Sequence, residues 1–174
     1  MILLFGLAGS GKSTQGRILA EQYKMKWLSA GEVLRNNGNF HEQVKNGELV
    51  NDDVVIQLMT DEIRKAESEG KNVIVDGFPR DEYQTKRLLE EMGDKIEKVV
   101  YIEVPKEELK ERIKLRARED DTPEVVEKRF AIIEQNIYSI ISLLKAKNIS
   151  TVVVNGLGTI EEVTERLRLE VENL

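Results

Sequence analysis

The chain has no cysteine and a single histidine, His41, among its 174 residues. Without cysteine there is no disulfide, no thiol nucleophile and no cysteine metal cluster. One histidine cannot build a multi-histidine site, so no structural zinc is expected. The lack of cysteine fits a cytoplasmic location. No apolar run approaches the roughly 18 residues of a membrane span, and no basic segment leads into one, so neither a membrane partner nor a secretory signal is expected. There is no excess of positive charge: the formal net charge of −6 disfavours a stable nucleic-acid partner. Arginines can still converge locally on a polyanion. What is present, 40% hydrophobic and 33% charged residues, belongs to a soluble globular chain long enough for one domain with small excursions.

Strand patterns alternate with helical ones, which predicts an α/β fold with a central five-stranded parallel sheet flanked by helices. The strands are Met1–Phe5, Asn72–Asp76, Lys98–Val104, Ser150–Asn155 and, more weakly, Met25–Leu28. Helices are expected over Lys12–Tyr23, Asp53–Gly70, Glu82–Met92 and from Lys106 into an arginine-rich stretch. A further long helix opens at Thr122-Pro123-Glu124, where threonine caps, proline suits the first position and glutamate suits the positive end. Its apolar stripe is Val126, Phe130, Ile133, Ile137, Ile140 and Leu144. The stretch after Val152 ends the sheet and returns as a helix. Asn36–Asp53, rich in Asn and Gly, reads as a small excursion, with NNGN as a loop.

GLAGSGKST, Gly6–Thr14, lies between a strand and a helix and has the spacing of a phosphate loop. Gly9, Ser10 and Gly11 let the backbone curl so that N–H groups point inward, and Lys12 carries an ammonium to the outer phosphates. Ser13 is placed to ligate magnesium and Thr14 to add a phosphate contact. Alone, this loop leaves ATPase, GTPase, kinase and mechanical readings open. A second site follows the strand ending in Asp76, which can orient magnesium through water. Gly77 and Pro79 then turn the chain to present Arg80, whose planar fork matches phosphate oxygens. Arg112 and Arg116 share a helix face, Arg118 lies just beyond, and Arg129 flanks the buried stripe. So many donors suit phosphoryl transfer between two anionic molecules, which needs no general base when the acceptor is already a phosphate oxygen.

GLAGSGKSTQG, LSAGEVLR, GELV, DGFPRDEYQ and REDDTPEVVEKR, in this order over nearly the whole chain, resemble the nucleoside monophosphate kinase family, most closely the adenylate kinases. The resemblance implies the P-loop NTPase fold and reversible transfer from Mg-ATP to AMP, giving two ADP. It implies one domain, with the core at 1–30, 54–113 and 123–174, a monophosphate-binding insertion at about 31–53 and a minimal lid at about 114–122. It puts donor phosphates on Lys12 and Thr14, and the acceptor phosphate on Arg35 and Arg80. Arg118 and Arg129 close on the transferring group, Arg116 bridges the phosphates, Arg112 stacks on the donor base, and the backbone at Gly156 and Gly158 approaches it. The acceptor base lies beside Ala30, the backbone of Glu48, Leu49 and Val50, and Gln84, whose amide suits a purine edge. Gln84 is similar to adenylate kinases, whereas LSAGE with Ala30 is similar to uridylate–cytidylate kinases. AMP is the expected acceptor, a UMP/CMP or broad-specificity kinase the alternative, and an ATP-dependent binding or assembly factor the more distant one.

The chain departs from the family at Ala8 and Ser13, where proline and glycine are usual, and in its lid, where only Ala117 separates Arg116 from Arg118. Poorer exclusion of water and some futile ATP hydrolysis are expected from so short a lid. A monomer is expected. His41, Trp27 and Phe130 read as loop or packing residues.

Overall fold

The computed structural model describes residues 1–45, 48, 50–116 and 121–172, with only the backbone of Lys45 and Arg116. Leu49 and Arg118, both expected at the site, lie outside the described residues, as does the side chain of Arg116.

Five strands, β1 (Ile2–Phe5), β2 (Lys26–Ser29), β3 (Val73–Asp76), β4 (Lys98–Glu103) and β5 (Ser150–Asn155), form one sheet in the order β2-β3-β1-β4-β5. Every pairing is parallel, with Leu3 opposite both Val75 and Val99. Such a sheet must bury both faces, and the continuous apolar runs of β1 and β3 meet that requirement. Successive side chains point to opposite faces. Leu3, Phe5, Val73, Val75 and Val99 therefore enter one core layer, while Ile2, Leu4, Ile74, Val100 and Ile102 enter the other.

The helices are α1 (Lys12–Gln22), α2 (Ala30–Asn36), α3 (His41–Lys45), α4 (Asp52–Ser68), α5 (Glu82–Met92), α6 (Lys106–Arg116), α7 (Pro123–Ala146) and α8 (Ile160–Val171). Helix α7 starts as its sequence implies, with the Thr122 hydroxyl accepting from the Val125 N–H at 3.3 Å and proline in the first turn. Its early residues Val126 and Phe130 pack in one layer and its later Ile137, Ile140 and Leu144 in the other, with Ile133 touching both. A capping box at Thr159 and Glu162 opens α8.

NNGN turns as its sequence implies, from Asn37 on, but the excursion around it holds more regular structure than its composition suggests. Helices α2 and α3 occupy much of it, and only Asn37–Phe40 turns between them. Its apolar residues are scattered in sequence, yet Leu34 and Val50 are buried and Val33, Phe40 and Val44 pack against the same core. That burial is enough to fix two short helices that would be marginal alone. Among the described residues, no helix is long and apolar enough to cross a membrane.

The connection from β1 runs to β2 on one side of the sheet, while the chain beyond β3 builds β4 and β5 on the other. The crevice beyond the carboxyl ends of β1 and β3 is therefore the place where an open α/β sheet holds a ligand. The loops that leave those two strands are the two motifs read from the sequence.

Candidate active site

Gly6–Lys12 curls tightly after β1. Gly6, Gly9 and Gly11 have φ of 146°, 84° and 95°, conformations that L side chains rarely adopt. At Gly6 there is also no room, since a Cβ there would lie 2.6 Å from the Ile102 carbonyl oxygen. Gly11 is the N-cap of α1 and offers no side-chain cap, whereas Asn51, Asp81, Thr122 and Thr159 cap α4, α5, α7 and α8 with their side chains. The first N–H groups of α1 are thus left for an anion at the positive end of the helix. Lys12 Nζ donates to the carbonyls of Gly6 and Leu7 at 2.8 and 2.9 Å, which holds its ammonium over the loop.

The Ser13 hydroxyl donates to Asp76 Oδ2 at 2.7 Å, joining the start of α1 to the end of β3. Asp76 is buried, and the register sets it opposite Leu4 and Ser29. A hydroxyl and one carboxylate, beside a loop that takes phosphates, fit magnesium, which keeps several waters and borrows phosphate oxygens. Among the described residues, no cluster of three or more His, Asp or Glu forms an all-protein cage.

A cleft of about 610 Å³ opens over these groups. It is lined by Gly9, Ser10, Gly11, Lys12, Ser13 and Thr14, by Asp76 and Gly77, and by arginines from four different helices or turns: Arg35, Arg80, Arg112 and Arg129. Gly77, at φ 77°, starts the turn into α5, and its carbonyl accepts from Arg80 Nε at 2.9 Å. Gly31 makes room for Arg35, because a Cβ at Gly31 would come 3.1 Å from Arg35 Nη1. Arg129 is held by Asp121 at 3.2 Å. Burial pushes the pKa of Arg80 down, the carboxylate of Asp76 raises it, and the positive charges of Arg129 and Arg35 lower it again. The mutual repulsion of these cations is relieved when an anion enters between them.

Arg112 lines the same cleft from α6. Its Nε donates to Glu108 at 2.8 Å and its Nη2 to the Gly156 carbonyl at 3.1 Å. The lack of a Cβ at Gly156 serves packing: a Cβ would lie 2.6 Å from both Ile102 and Val104. That close approach brings the Gly156 carbonyl under Arg112.

The acceptor-base residues are arranged differently. Ala30 is fully buried in the core, Val50 is buried and Glu48 is exposed. None of them lines the cleft, nor does Gln84, which is 3% exposed. Gln84 Oε1 accepts from the Arg80 N–H at 2.9 Å and its Nε2 donates to Asp52 Oδ1 at 2.7 Å. Asp52 and Glu108 escaped the sequence reading, because acidic residues in the first turn of a helix look like ordinary complements to its dipole. His41 opens α3 instead of lying in a loop, and its Nδ1 meets the Arg35 carbonyl at 3.0 Å. Trp27 packs beneath Arg17, whose guanidinium stands 4.4 Å from the ring centre.

A family model described as adenylate kinase matches residues 4–149. The chain is 35% identical to an adenylate kinase of Micrococcus luteus, over 95% of this chain and 87% of that protein. It is 35% identical to an adenylate kinase of Thermus thermophilus, over 96% of this chain and 94% of that one. An adenylate kinase of Thermococcus sibiricus is 32% identical, over 96% and 92%. A chain whose phosphate loop lines one cleft with Arg35, Arg80 and Arg129, and which has these relatives, belongs to the adenylate kinase family.

Proposed function

We propose that this crevice carries out the adenylate kinase reaction, Mg-ATP plus AMP giving two ADP, with a division of labour among its residues. The donor triphosphate lies along Gly9–Thr14 with Lys12 at its outer phosphates, and the acceptor phosphate lies on Arg35 and Arg80. Arg118 and Arg129 close on the transferring group, and Arg116 bridges the phosphates. Ser13 and, through water, Asp76 would hold Mg²⁺, which when bound neutralises charge on the donor phosphates. The side chains position two anions in line and spread the moving charge over guanidinium groups. Arg112, held by Glu108, stacks on the donor base beside Gly156. On the acceptor side Gln84 reads the base, beside Ala30 and the backbone of Glu48, Leu49 and Val50.

The observation that carries this reading is the meeting of Arg35, Arg80 and Arg129 in the cleft that the phosphate loop lines. A binding factor or a hydrolase has no use for a second phosphate site built from three distant segments. Its test is incubation with Mg-ATP and, separately, AMP, CMP, UMP, dTMP and GMP, with every nucleotide quantified. Two ADP per AMP consumed is the expected product. A pyrimidine diphosphate as the main product would replace AMP by CMP or UMP, and no transfer despite ATP binding would favour the assembly-factor reading.

The proposal includes an insertion at about 31–53, a lid at about 114–122 and a cytoplasmic monomer. Such a short lid admits water, so slow phosphate release from ATP is expected without AMP. Negligible release both with and without AMP would overturn that point.

A further inference from the structure

We propose that Asp52 is a specificity-determining residue: it fixes which way the Gln84 amide faces, so that the acceptor site favours a 6-aminopurine over a 6-oxopurine. This rests on the reading in which Gln84 meets the acceptor base.

Gln84 sits in the first turn of α5, with its own N–H donated to the Asp81 carboxylate at 2.8 Å. Its amide is engaged at both ends, by the Arg80 N–H at 2.9 Å on Oε1 and by Asp52 Oδ1 at 2.7 Å from Nε2. A backbone N–H can only donate and a carboxylate can only accept. Turning the amide by half a rotation would set NH₂ against N–H and oxygen against carboxylate, so two bonds would become two repulsions. The partners therefore determine the amide orientation chemically.

One N–H on Nε2 and one lone pair on Oε1 remain uncommitted in these two bonds. Adenine offers an amino donor next to a ring-nitrogen acceptor, the pair that an amide meets in a bidentate contact. On the edge that carries the 6-substituent and N1, the 6-oxo analogue reverses both groups, with a carbonyl acceptor next to an N–H donor; on the N7 edge it reverses the 6-substituent alone. An amide able to turn could serve either base, whereas one held in place serves one and leaves the other unpaired. A neutral residue at Asp52 could clasp α4 to α5 equally well but would leave the Arg80 N–H alone to hold this polarity.

The neighbouring Tyr83 supplies the control. Its hydroxyl donates to Asp53 at 2.6 Å, which ties the same two helices together without contacting the Gln84 amide through that bond. The experiment measures kcat/KM with Mg-ATP for AMP and for inosine monophosphate in the wild type, Asp52→Ala, Asp52→Asn, Tyr83→Phe and Gln84→Met. Thermal melting shows that each variant is folded. Asp52→Ala is expected to lower the AMP-to-IMP ratio by about tenfold or more, Asp52→Asn by less, and Tyr83→Phe not at all. Should Asp52→Ala fail to fold, the Asp52→Asn variant, whose amide can present either face, decides the matter. Equal losses on both substrates at Asp52, or the same loss of ratio in Tyr83→Phe, would overturn the proposal and leave only a helix clasp. A ratio unchanged in Gln84→Met would overturn the base-reading role itself. A ratio lost in Gln84→Met but kept in the Asp52 variants would overturn the role of Asp52 alone.

Discussion

Lys12 reaches the cleft from a loop whose shape is set within Gly6–Lys12, whereas Arg35, Arg80 and Arg129 reach it from segments far apart in the chain. On the proposed donor side the groups offered to phosphate are mainly backbone N–H, in a loop shaped by left-handed glycines and left open by the lack of a side-chain cap on α1. Their geometry is local, so it survives as long as β1 and α1 do. The groups proposed for the acceptor phosphate and for the transferring group are side chains, and each has its own support: Gly31 beside Arg35, the Gly77 carbonyl for Arg80, Asp121 for Arg129. Backbone ligands bind phosphate whatever nucleotide carries it, while side-chain ligands can be repositioned by the substrate they are to recognise. On the proposed assignment, donor binding is built into the fold and acceptor binding is assembled on it.

If that contrast holds, the largest single loss comes from Lys12, the charged side chain that the loop itself carries to the donor phosphates. Lys12→Met is expected to lower kcat by about 10³-fold or more, with ATP binding reduced much less because the backbone N–H groups are retained. Single-turnover transfer and equilibrium ATP titration separate the two effects. A comparable loss of binding would mean that the ammonium, and not the loop, supplies the donor affinity.

Arg80→Lys sharpens the other half. It keeps the charge but gives up the planar fork and the bond to the Gly77 carbonyl, and is expected to cost about 10²–10³ in kcat/KM for AMP, with KM for ATP nearly unchanged. Asp76→Asn tests the join between the halves, since it keeps the shape beside Ser13 and removes the carboxylate charge. A loss of about 10–100-fold is expected, together with a higher Mg²⁺ concentration for half-maximal rate. An unchanged Mg²⁺ dependence would remove Asp76 from the metal site.

The same contrast explains what could be read without the fold. The phosphate loop was legible because strand, glycines, lysine and helix are contiguous, and the buried stripe of α7 because its period is regular over many turns. Strand order was not legible, since nothing in the spacing tells β1 to pair with β3 on one side and β4 on the other. Helices α2 and α3 were too short for a periodic signal, and their anchors Leu34, Phe40 and Val44 are scattered among polar residues. The arginines were singled out by type, and Arg35 by resemblance, but their convergence is a property of topology. Asp52 and Glu108 are not legible because each bonds another side chain, Gln84 or Arg112, from a helix first turn where an acidic residue is ordinary.

The smallest expected effect lies where the donor side departs from its own rule. Arg112 is a side chain, yet Glu108 and the Gly156 carbonyl fix it as firmly as the loop fixes its N–H groups. If it serves only to face the donor base, its interaction is the same in the ground state and the transition state, and removing it changes binding without changing the chemical step. Arg112→Ala should then raise KM for ATP by about tenfold and leave kcat within about twofold. Glu108→Gln keeps the reach of the partner but weakens its hold on the guanidinium, so it should give a smaller rise of the same kind. A fall in kcat in either variant would place Arg112 among the groups that meet the moving charge. The line between a donor side that binds and an acceptor side that recognises would then have to be redrawn along α6.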